Sequence, residues 1–212
     1  MLPSLDPSLH TPERQPFIRK LRNFLTDHAF EDVPTLVLQC APVDAQTIDP
    51  MGSRMDHTLL QGTGELVDGG WWAGFAGGNR QKYFDGFATF DSSDEKLWAA
   101  ELQDDGHILA AVRAIAYSES PGVLPGLASV FSEFGVLVGK YRDAANIAGA
   151  FRLTATLVNA RGLTLLSNSG YGRTRTRTVG RETVEWPVST ATADEIGAAC
   201  EQMRSRLKRL FP

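Results

Sequence analysis

Arg173, Arg175 and Arg177 alternate with Thr174, Thr176 and Thr178, and Arg181 follows close behind. In an extended segment, alternate residues share a face, so three guanidinium groups would line one side. Such a row repels itself unless an anion lies opposite. Phosphate is the best-matched anion, because the guanidinium fork binds it with two parallel hydrogen bonds. An acidic protein surface is the competing partner, including the acidic half of a second copy of this chain. The third reading is a solvated loop with no partner at all. Arg173, Arg175, Arg177 and Arg181 are therefore the candidate nucleic-acid or anion-binding set. Trp71 and Trp72, which stand with Phe75 among glycines, are candidates for stacking on a base or sugar. Burial of those rings as loop anchors is the alternative.

Other chemistry is harder to find. Asp104-Asp105 falls in a turn, where Asp is favoured for turn geometry alone. Asp85, Asp91 and Asp94 flank one strand as surface charges. Ser118, Ser120, Ser129 and Ser132 lie in no Gly-x-Ser-x-Gly elbow. The glycines of 74–78 lack the Lys-Ser/Thr ending of a phosphate loop, and no Gly-x-Gly-x-x-Gly opens a helix after a strand. Cys40 sits in an apolar run and Cys200 in a helical pattern, so both read as small buried hydrophobes of a reducing compartment. His10, His28, His57 and His107 are too scattered for a metal site. No catalytic residue, metal or cofactor is expected.

Charge is unevenly divided. The net charge is −4, which argues against bulk nucleic-acid binding. Residues 1–106 carry 8 Lys/Arg against 17 Asp/Glu, and residues 107–212 carry 13 against 8. From Asp143 to Glu182 there is no acid between, yet there are six arginines. A polarised surface is expected if the halves occupy different faces.

The elements that must position these groups follow from periodicity. Residues 1–13 form an N-terminal arm, and 14–212 are expected to form a single domain. Thr11 and Pro12 signal a helix start, and Phe17, Ile18, Leu21, Phe24 and Leu25 recur at threes and fours over 14–29. Residues 35–41 are a buried strand. Residues 42–82 are rich in Gly and Asp, with a short helix expected near 55–60 and a short strand near 71–75. Strands follow at 85–91, 96–102 and 107–117, the last two joined by Asp105-Gly106, a hairpin signal. A helix over 126–145 contains Gly135 and Gly139, where another element is expected to approach closely. Residues 150–158 are a strand, which 162–166 extends or pairs. After the arginine segment come a short strand at 184–188 and a last helix capped by Thr190 or Thr192. The fold class is α+β: an antiparallel-rich mixed sheet of about five to seven strands with three main helices packed mostly on one face. Helix 14–29 with strand 35–41, and helix 126–145 with strand 150–158, make two similar helix–strand units. No apolar run approaches the ~18 residues of a membrane helix, and the first residues lack the apolar core of a signal peptide. A cytoplasmic location and no membrane partner are expected.

Three stretches carry a family resemblance. Pro34–Pro42 resembles a P-x-L-V-L-Q-x-x-P strand of a bacterial group. Tyr83–Phe90 resembles that group's x-x-x-D-G-x-x-x strand, and Asp105–Ile108 with the strand after it resembles its x-x-G-x-I-E-A-V segment. The group is the DNA-binding and ATP-binding proteins with an N-terminal Schlafen-type Alba-like domain. The similarity covers most of residues 15–210 and lies in the region after that domain, which has no counterpart here. The resemblance implies a bacterial cytoplasmic accessory module of a defence or regulatory system, and it carries over no catalytic residue. The expected function is a non-catalytic binding or sensor module acting with a partner protein or as a homo-oligomer. The alternatives are nucleic-acid binding through 173–181 and an enzyme whose site is assembled from dispersed residues.

Overall fold

A computed structural model describes residues 12–50, 52, 75, 78–91, 97–113, 122–123, 129–169 and 172–210. At 122–123, 164–169, 172–178, 208 and 210 the description is of the backbone. The expected helix near 55–60, most of the expected strand near 71–75, Trp71, Trp72 and the arm 1–11 lie outside the described residues.

The first helix, α1, spans Gln15–Asp27. It buries Phe17, Ile18, Leu21, Phe24 and Leu25 and exposes Arg19, Arg22 and Asn23, as the spacing requires. Its start is later than expected. Pro16 occupies the first turn, and the cap residue is Arg14, whose side chain is drawn into the core instead of capping. At the other end Phe30 donates its N–H to the Leu25 carbonyl and Ala29 to that of Thr26. Ala29 stands at φ 58°, the left-handed position that glycine usually fills.

The main sheet grows around β1 (Thr35–Pro42). The neighbours of β1 are β5 (Ile108–Arg113) and β7 (Ala150–Val158), both antiparallel. Beyond β5 lie β4 (Trp98–Gln103), β3 (Gly86–Phe90) and β2 (Asn79–Lys82); beyond β7 lie β10 (Val184–Glu185) and β11 (Ser189–Thr192). The result is an eight-stranded antiparallel sheet. The β4–β5 hairpin turns at Asp104–Gly106, as Asp-Gly predicts. Gly106 has φ 79°, and a Cβ there would stand 2.9 Å from Pro42.

Both faces of the sheet are covered. Leu36, Leu38 and Cys40 of β1 face a large core that includes α2 (Ser129–Ala145) and α3 (Ile196–Leu210). Val37 joins Ala99, Leu109 and Ala111 in a smaller core beneath α1. Two of the three described helices thus share one face and α1 holds the other. Burial on both sides is why β1 is a continuous apolar run rather than an alternating one. The two helix–strand units lie side by side, since β1 pairs with β7 and their helices sit on opposite faces. Close approach holds at Gly135, where a Cβ would lie 3.4 Å from Cys200 Sγ. Among the described residues it does not hold at Gly139, where a Cβ would meet nothing within 4 Å.

A second sheet orders β6 (Gly122–Val123), β8 (Thr164–Ser169) and β9 (Gly172–Thr178). Residues 162–166 therefore neither extend nor pair β7. Asn159 and Gly162, at φ 51° and 84°, turn the chain away from it. The stem of this sheet is rooted in the large core by Ala160, Leu163 and Val179, and the Val179 N–H donates to the Leu163 carbonyl at 2.9 Å. Thr192 precedes the last helical segment, Ala193–Glu195 followed by α3, and its N–H and hydroxyl both donate to Glu195 Oε2. Among the described residues no helix is long and apolar enough to cross a membrane.

Two outcomes follow. Ala29→Gly should raise stability in urea unfolding by roughly 1 kcal/mol, because it removes the left-handed penalty without touching a buried contact. Cys40 and Cys200 are buried free thiols, with the Cys200 thiol pushed up to about 12 by burial. Neither should react with a disulfide reagent in the folded protein, and both should react once it is unfolded.

Candidate functional site

The arginine segment is a strand. Gly172–Thr178 forms β9, which among the described strands pairs only with β8 and is the edge of the small sheet. Pairing runs Ser169↔Gly172, Asn168↔Arg173, Ser167↔Thr174 and Leu166↔Arg175 without interruption. The next registered pair is Thr164↔Thr178, so β9 spends an extra residue there and a bulge falls between Arg175 and Thr178. Arg173 and Arg175 hold positions on one side of an unbroken strand. Arg177 sits in the bulge, which breaks the strict alternation expected for three arginines. Arg181 is exposed beyond the end of β9. β9 thus brings together Arg173 and Arg175, while Arg181 stands apart from them.

A second group of polar residues was not predicted as a unit. Glu101 and Gln103 of β4 turn toward α1, as the alternation of that strand places them beside Ala99. Gln103 Nε2 donates to Glu101 Oε1 at 2.5 Å, and His28 Nε2 lies 3.5 Å from Glu101 Oε2. Lys20 on α1 donates to Gln103 Oε1 and pairs with Asp105 at 2.8 Å. Asp105 also accepts the His107 N–H at 3.0 Å. His28 is ringed by Phe24, Phe30, Tyr83 and Phe90. Burial, with the Glu101 and Asp27 carboxylates nearby, pushes the Tyr83 hydroxyl up to about 12. The sequence signal available for this group is strand alternation, which puts Glu101 on the side of Ala99. The partners are more than seventy residues away along the chain.

A third set links the two faces. Arg14 pairs with Glu185 at 2.8 Å, both side chains being buried, and donates from Nη2 to the Trp186 carbonyl at 2.8 Å. Thr154 Oγ1 donates to that same carbonyl at 2.8 Å, and Trp186 Nε1 donates to the Met203 carbonyl at 2.9 Å. These bonds run from α1 through the sheet edge to α3.

The set around Glu101 is closed to a substrate, whereas Arg14 and Glu185 line a narrow cleft with Gln39 and Thr154. General acid–base chemistry needs groups that a substrate can reach. Glu101, His28 and His107 are at most 4% exposed. The clefts beside α3 are lined by Val184, Glu185, Trp186, Pro187 and Arg206, and by Glu201, Gln202, Ser205 and Arg209 among others. Each holds one carboxylate. Among the described residues no three His, Cys, Asp or Glu side chains converge as metal ligands would. No protein-family model matches the chain, and no curated protein matches it.

Two buried groups give stability an unusual pH dependence. Glu133 on α2 is fully buried, with the Ser129 hydroxyl on Oε1 and, among the described residues, no hydrogen-bond partner on Oε2. Burial pushes its carboxyl from 4.5 up to about 7. The folded state keeps this proton when the unfolded chain has lost it, so the stability it contributes is complete below pH 4.5 and is lost as pH rises to about 7. His107 behaves oppositely. Burial, aided by the Lys20 charge and opposed by Asp105, pushes it from 6.5 down to about 3, so stability is lost as pH falls below 6.5. Between 4.5 and 6.5 the two slopes oppose each other. Urea unfolding over a pH series should show Glu133→Gln steepening the loss toward acid. His107→Phe should instead leave stability falling as pH rises from 4.5 to 7.

Proposed function

We propose that this chain is a non-catalytic binding module that acts with a partner protein. The observation that carries this reading is β9: a strand with Arg173 and Arg175 at alternate positions, set at the edge of a small sheet among the described strands. A core needs no such row, and self-repulsion makes it unfavourable without an anion. The described buried polar groups support the same reading from the other side. They tie helices to strands, and those around Glu101 are closed to a substrate. In keeping with the resemblance, the module would serve a bacterial cytoplasmic system as an accessory to a separate effector.

Nucleic-acid binding through Arg173, Arg175, Arg177 and Arg181 is the second reading, supported by the acid-free stretch in which all four lie. Purification of the full chain from its own cells at moderate salt separates the two. The first reading expects a protein retained in fixed ratio that rebinds when both components are pure. Retention of nucleic acid instead, with affinity falling steeply with salt, would overturn it in favour of the second.

A further inference from the structure

We propose that the edge of β9 away from β8, which no described strand pairs, receives an extended, acidic segment of the partner protein by strand addition. This rests on the binding-module reading and names the class of partner.

The register gives the reason. Ser169 and Gly172 face each other as the pair next to the β8–β9 connection, and in an antiparallel ladder bonded and non-bonded pairs alternate from such a closing pair. Ser167↔Thr174 is then a bonded pair, and Asn168↔Arg173 and Leu166↔Arg175 are non-bonded ones. At non-bonded positions the N–H and C=O point away from the partner strand. The peptide groups of Arg173 and Arg175 are therefore directed away from β8, to the side where no described strand lies, and both residues fall on one side of the strand.

Such an edge offers donors and acceptors together. A phosphate backbone can accept from the N–H groups but has nothing to donate to the carbonyls, whereas a second peptide strand satisfies both. The arginines set the charge of that strand. Residues two apart on β9 are about 7 Å apart, which matches carboxylates two apart on an added strand. Arginine on an edge also discourages pairing with a like-charged or apolar strand, so the same residues select for acid and against self-aggregation. The bulge past Arg175 marks where the added strand ends, since it bends β9 out of regular pairing.

The test uses the full chain and a short fluorescein-labelled peptide alternating glutamate with threonine. Amide exchange by NMR supplies the second readout. The expected result is binding with new protection at the Arg173 and Arg175 amides, while the Thr174 amide, already bonded to β8, changes little. Arg173→Gln with Arg175→Gln should weaken binding about tenfold or more, with the amide spectrum otherwise retained. The paired lysine substitutions should restore part of the loss. Binding without amide protection would reduce the site to a charge contact and overturn strand addition. So would equal affinity for a peptide with its glutamates in one block, tighter binding of oligothymidylate, or no binding of the alternating peptide. The binding-module reading fails separately. A purified partner that still binds the double glutamine variant refutes the edge and leaves the module standing. Peptide binding at β9 in a chain that retains no partner refutes the module and leaves the edge.

Discussion

The carbonyl oxygen of Trp186 is where three parts of the molecule meet. It accepts a hydrogen bond from Arg14 at the start of α1 and another from Thr154 on β7. The indole of the same residue donates to the Met203 carbonyl in α3 and packs on Phe131 of α2. α1 covers one face of the sheet, and α2 and α3 cover the other. One residue on the outer side of β7 thus fixes both layers to the sheet. Its place in the chain helps: Pro187 follows, lacks an N–H and divides the pairing on β7 into β10 and β11. The interruption frees the Trp186 carbonyl for side-chain donors instead of the ladder. Buried, a charged donor to that carbonyl is worth more than it would be in water.

The polar network beneath α1 has a related role. A sheet covered on both faces needs few polar side chains, and Glu101, Gln103 and His28 are costly to bury singly. Placed together with Lys20 and Asp105, Gln103 and Glu101 Oε1 are hydrogen-bonded, while Glu101 Oε2 and both His28 ring nitrogens have no hydrogen-bond partner among the described residues, and the paired groups limit the register of α1 on the sheet. A shift of the helix along its axis would separate Lys20 from both Gln103 and Asp105. Apolar contacts alone would tolerate such sliding. Specificity of this kind is what buried polar groups can supply even where their net contribution to stability is small.

Much of the architecture was legible because it rests on local patterns. The apolar spacing of α1, the run of β1, the Asp-Gly turn and the Thr192–Glu195 cap all lie within a few residues. Two short strands were not legible. β2 reads Asn-Arg-Gln-Lys with all four side chains exposed, so it has neither an apolar face nor a turn signal. β6 is two residues long and follows from pairing alone, whereas β10 lies within the short strand expected at 184–188. Polarity hid the β8–β9 hairpin: Arg-Thr alternation is compatible with a strand or a loop, and a partner strand decides between them. The start of α1 was misplaced because Thr11-Pro12 and Pro16 are both good openings. The choice is made by Glu185 and Trp186, some 170 positions downstream of Arg14, which pull that side chain into the core. Site residues followed the same rule. The arginines could be named from sequence, but the bulge that separates Arg177 from Arg173 and Arg175 depends on β8.

The pairing of β1 also has a consequence for how the chain reaches this state. β1 ends at Pro42, yet its two neighbours are β5, from Ile108, and β7, from Ala150. A ribosome adding roughly 5–20 residues per second releases this buried strand several seconds before either neighbour exists. During that interval α1 is the one described element near enough in sequence to shield it. The short link between α1 and β1 then matters for more than geometry. It lets the helix cover the strand locally, while closing the sheet waits on contacts far apart in the chain, the kind that make folding slow.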